Sequence, residues 1–76
     1  MKNLNDKSFK LKQSDIDSII SLFSSGELKK SLEQACTLIK DYPEESILFN
    51  IQGACFAGLD QPDAAVKSYE KAIMLK

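Results

Sequence analysis

Histidine and arginine are both missing from this 76-residue chain. Without histidine there is no ready general base near neutral pH, no usual partner for a nucleophile, and no commonest zinc ligand. Glycine is scarce and scattered: Gly26, Gly53 and Gly58 stand alone and follow no strand pattern, which excludes a glycine-rich phosphate loop. No apolar run approaches the length of a membrane span, and the lysine-bearing start has no apolar core behind it of the kind a signal peptide needs. A cytoplasmic protein with no membrane partner is therefore expected. The two cysteines, Cys36 and Cys55, form no C-x-x-C pair and each falls in a helical apolar pattern, so two small buried thiols are expected rather than a disulfide or half a metal site.

What is present is a globular mixture, 43% apolar and 28% charged, in a chain long enough for one small domain. Ten lysines against eleven acids leave a net charge of -1 and no general field for nucleic acid. Lys2, Lys7, Lys10 and Lys12 face only Asp6 in residues 1–13. Their aromatic interleaving is a single Phe9, so this stretch reads as a flexible, solvated basic lead-in rather than a nucleic-acid arm.

From residue 14 the chain carries helical periodicity and no strand pattern. Ser14 reads as an N-cap, with Asp15 and Asp17 in the first turn and Ile16, Ile19, Ile20 and Phe23 at the spacing of a one-faced helix over residues 14–24. Ser24-Ser25-Gly26 stops it. A second apolar stripe, Leu28, Leu32, Ala35, Leu38 and Ile39, predicts a helix over 27–40, with Lys29 and Glu33 paired on its wet side and Tyr42-Pro43 as its stop. A third helix begins near Glu45. It carries Leu48, Ile51, Cys55 and Leu59 on one stripe and Phe49, Gly53 and Phe56 on the next, so it should be packed on two sides and central. The fourth follows the turn at residues 58–62, with Asp60 as its cap, Pro62 in its first turn, an Asp63–Lys67 pair outside, and Val66, Tyr69, Ala72 and Ile73 facing inward. Acids at these helix starts read as dipole and capping residues, and no catalytic carboxylate pair is assigned.

Sliding the sequence back until Asp60 overlays Gly26 also brings Val66 onto Leu32 and Ile73 onto Ile39, which marks an internal repeat. Within the second copy, Phe49, Gly53, Phe56, Ala65, Tyr69 and Ala72 stand as a close helix crossing requires: a missing side chain at Gly53 and alanines two turns apart on the opposing helix. On these residues the chain resembles two tandem tetratricopeptide repeats over about residues 12–76. The first copy keeps Gly26, Leu28, Leu32, Leu38 and Pro43 but has Ile19 at the close-packing glycine position and Ser31 at the first alanine. Gln52 stands where leucine is usual, and Asp60 where glycine often makes the turn.

The resemblance implies an all-α fold, two antiparallel helix-turn-helix hairpins (residues 14–43 and 44–76) stacked as a short right-handed α-solenoid. It also implies a non-catalytic scaffold, without a cofactor or metal, that binds a peptide or helix of a partner protein on the concave face. That face would show Ile16, Ile20 and Phe23 from the first repeat and Ile47, Asn50, Ala54 and Ala57 from the second. Ile16 and Ile20 have core packing as their alternative, and Asn50 has plain solvent exposure as its own. Family members that grip a terminal carboxylate use a cluster of lysine, arginine and asparagine; the matching positions here are Ile16, Ile20 and Asn50, so such a clamp is not expected.

Gly26-Glu27-Leu28, Asp41-Tyr42-Pro43 and Asn50-Ile51-Gln52-Gly53 are also similar to the opening repeats of bacterial proteins whose array precedes a glycosyltransferase-like or sulfotransferase-like domain. The alternative function is thus a targeting segment of such an enzyme, and the chain is expected to be the N-terminal part of a longer protein. A repeat buries its apolar face on its neighbour, so the uncapped fourth helix, ending Ala72-Ile73-Met74-Leu75, predicts a homodimer or other self-association.

Overall fold

The computed structural model describes residues 11–76, so most of the basic lead-in lies outside the described residues. Four helices make up the described chain: α1 (Gln13–Ser24), α2 (Leu28–Asp41), α3 (Ser46–Gly58) and α4 (Pro62–Leu75). No strand occurs among the described residues. Each helix packs on the next across a loop of three or four residues, which makes successive helices antiparallel neighbours. The fold is all-α, as the periodicity requires.

The central place expected for the third helix is observed: α3 lies against α2 and α4 and also touches α1. Its sequence explains this. With Leu48, Cys55 and Gly53 all buried, it is apolar around most of its circumference, so it has no single wet side. The core formed by α1, α2 and α3 gathers Ile19, Ala35, Tyr42 and Leu48, with Leu11, Leu38, Ile39 and Ile51 packed around them. Tyr42, expected only to help stop the second helix, is a core residue as well as the C-cap of α2.

Two expected caps are corrected. The N-cap of α1 is Lys12 rather than Ser14, and that of α4 is Gln61 rather than Asp60; in none of the four helices does the N-cap side chain hydrogen-bond the first turn. Entry into α2 and α4 is set instead by how α1 and α3 end. At the end of α1 the Gly26 N–H donates to the Phe23 carbonyl (3.0 Å) and the Glu27 N–H to the Leu22 carbonyl (2.9 Å). At the end of α3 the Asp60 N–H donates to the Ala57 carbonyl (3.1 Å) and the Gln61 N–H to the Phe56 carbonyl (2.8 Å). Both are Schellman stops, which need one left-handed residue. That residue is Gly26 at φ 87° in one and Asp60 at φ 64° in the other. Aspartate tolerates this conformation better than most side chains. The two turns repeat bond for bond at the same offset that overlays Asp60 on Gly26.

The expected surface pairs Lys29–Glu33 and Asp63–Lys67 are replaced by a different one, Lys30–Glu27 at 3.1 Å, three residues apart and exposed. The inward face assigned to the fourth helix also needs correction. Ala65, Ser68 and Ala72 are its buried stripe, whereas Val66 is 54% and Ile73 73% exposed, with Tyr69 on the border between. Small residues win that contact because they let α4 approach α3 closely.

Candidate interaction faces

Gly53 is buried where α3 meets α4. A Cβ built on it would stand 2.7 Å from Cε1 and 2.8 Å from Cδ1 of Tyr69, so the tyrosine ring occupies the room that the missing side chain leaves. Ala65 and Ala72, one turn to either side of Tyr69 on α4, are both buried. Phe49 is half-buried with the Lys71 ammonium 6.0 Å from its ring centroid, and Phe56 is half-buried. Of the other residues expected in packing roles, Leu32 is half-buried and Pro43 exposed.

One position earlier on each of these two helices lies a polar bridge that the sequence does not announce. Gln52 donates from Nε2 to Cys36 Sγ on α2 (3.4 Å) and accepts at Oε1 from Ser68 Oγ on α4 (2.8 Å). One amide thereby joins three helices, and the buried Ser68 hydroxyl has its partner. In the sequence Gln52 stands out only as a departure from the usual leucine; the signal that goes with it is Ser68, a polar residue in register with the small buried face of α4. A second buried hydroxyl, Ser31 Oγ, donates to the Ile19 carbonyl at 2.8 Å and ties α2 to α1.

The residues expected on the binding face occupy the outer sides of α1 and α3. Ile16, Phe23 and Ala54 are half-buried; Asn50 and Ala57 are exposed. Ile20 is 42% and Ile47 37% exposed, so core packing does not account for Ile20. Asn50 also borders a shallow cleft of about 140 Å³ with Ala72, Ile73 and Lys76. Because α1 touches α3, the two stripes lie on neighbouring helices.

The outer side of α4 is a second apolar face, Val66, Tyr69 and Ile73, with Met74 79% exposed beside it. Both cysteines are free thiols, Cys55 buried and Cys36 half-buried. Among the described residues there is no cluster of three or more histidine, cysteine or acidic side chains that could hold a metal ion, and no helix is long and apolar enough to cross a membrane. No family model, curated relative or solved structure matches the chain.

Proposed function

We propose that this chain is a tetratricopeptide-type interaction module that binds a peptide or helix of a partner protein along the outer sides of α1 and α3, without performing chemistry itself. The duplicated stop at Gly26 and Asp60 carries this reading: identical hydrogen bonds at one constant sequence offset support two copies of one structural unit, and stacked units of this kind expose a continuous binding surface. Exposed Ile20 and Ile47 supply apolar anchors on that surface, and exposed Asn50 supplies donors and acceptors for a partner's backbone.

The test is affinity capture with the full chain beside its Ile20→Glu/Ile47→Glu double variant and Asn50→Ala. Loss of the captured proteins from the double variant, with helicity by circular dichroism unchanged, is expected. Equal capture by both would refute the assignment of this face.

A further inference from the structure

The cleft between α1 and α2 has a filled counterpart in the second hairpin. It measures about 210 Å³ and is lined by Asp15 and Ser18 of α1 and by Gln34, Thr37 and Leu38 of α2. Under the overlay of Asp60 on Gly26, these five positions fall on Phe49, Gln52, Ser68, Lys71 and Ala72. There the side chains meet one another: the Lys71 ammonium stands 6.0 Å from the Phe49 ring centroid, Ser68 Oγ donates to Gln52 Oε1 at 2.8 Å, and Ala72 is buried. In the first hairpin the short Asp15 takes the place of the ring, and Ser18, Gln34 and Thr37 are exposed. What the cleft lacks, relative to its counterpart, is one aromatic side chain. A cavity of about 150 Å³ is enough for benzene, so there is room for a phenyl ring, with half-buried Leu38 as its apolar wall. The Thr37 hydroxyl already donates to the Glu33 carbonyl (3.0 Å) and does not call for a polar ligand.

Two observations say where the ring comes from. Leu11 and Leu38 pack against the same core cluster, and the Asp15 N–H donates to the Lys12 carbonyl at 3.1 Å, so the chain enters the fold next to the cleft. Phe9 lies two residues before Leu11, about 7 Å of extended chain away. Charge agrees with reach. Lys7 and Lys10 flank Phe9, while the cleft presents the Asp15 carboxylate and has Asp41 one turn beyond Thr37 on α2.

We propose that the Phe9 ring fills this cleft, as the Phe49 ring fills its counterpart, with Lys7 and Lys10 beside Asp15 and Asp41. The contact closes α1 onto α2. Ile19 is the buried residue of α1, so a second hold on that helix fixes the element that carries Ile16, Ile20 and Phe23. It stands whether or not those residues bind a partner.

The test compares Phe9→Ala in two backgrounds of the full chain. In the otherwise unaltered chain it should lower the melting midpoint by about 5 °C. In the Asp15→Phe chain, where α1 fills the slot itself, the same substitution should shift the midpoint by less than about 1 °C. A nuclear Overhauser contact between the Phe9 ring protons and the Leu38 methyls is expected in the unaltered chain and should be lost in the Asp15→Phe chain. Equal shifts in both backgrounds, no shift in either, or absence of the Overhauser contact overturns the proposal. So does a contact seen only between differently labelled copies, since the start of a second molecule would then be the occupant.

Discussion

The two hairpins solve the same packing problem with opposite distributions of volume. In the first, the inner position of the leading helix is Ile19 and the facing position on the next helix is Ala35, both buried in one cluster. In the second, at the corresponding places, the leading helix has Gly53 and the following one Tyr69, whose ring lies on the glycine. Large-then-small becomes small-then-large. A shared backbone plan thus constrains the sum of two facing side chains more tightly than either one, which is how cores accept volume-conserving exchange.

The severest way to break this comparison is to empty the first pair. Ile19→Ala should cost about 2–5 kcal/mol in chemical denaturation, because the site is completely buried and α1 has no other fully buried side chain to hold it. Copying the first pair into the second is more discriminating. Gly53→Ile should cost about 1–3 kcal/mol against the unaltered Tyr69 ring. Adding Tyr69→Ala should restore most of that loss, with a coupling of about 1–3 kcal/mol between the two changes. Additive effects would show that the pair does not share one space.

A smaller effect belongs to the bridge. Gln52→Leu removes both bonds of the amide and leaves the Ser68 hydroxyl in a buried place, so a loss of about 1 kcal/mol is expected. The double variant Gln52→Leu/Ser68→Ala should recover it, since no buried polar group is then stranded. The smallest change concerns the turns. Asp60→Gly relieves a left-handed side-chain-bearing residue and should raise the melting midpoint slightly, by about 0.5 kcal/mol in stability, whereas Gly26→Ala should lower stability by about 1 kcal/mol. If both substitutions acted in the same direction, the two stops would not be equivalent.

Much of this architecture could be read from the residues. Four helices in order and the double-sided third helix followed from apolar spacing, and the overlay set Asp60 on Gly26, although Asp60 reads as a cap of α4 and not as the left-handed stop of α3 that it forms. The inward face of α4 differs from the expected one for a physical reason. That helix has two adjacent stripes, one small (Ala65, Ser68, Ala72) and one large (Val66, Tyr69, Ile73), and hydrophobicity alone favours the large one. Close approach of α3 favours the small one, as the crossing read from Gly53, Ala65 and Ala72 implies; apolar spacing by itself, which points to Val66 and Ile73, does not report interhelical distance. The cap of α4 differs for a related reason: Asp60 has the right chemistry for an N-cap, but it is taken up as the left-handed residue that stops α3, so α4 begins one residue later. The Gln52 bridge joins side chains 16 residues apart on either side, a relation invisible until three helices are set next to each other.

The sealed sulfur of Cys55 has a practical consequence. It sits in the middle helix with no exposed surface, while Cys36 is only half-covered, so a thiol reagent meets the two at different stages of disassembly. The rate at which Cys55 is modified in Cys36→Ser protein, divided by the rate for an unstructured peptide thiol, is the fraction of time that the middle of the molecule stands open. Cys55 is in effect a built-in reporter of exposure inside α3.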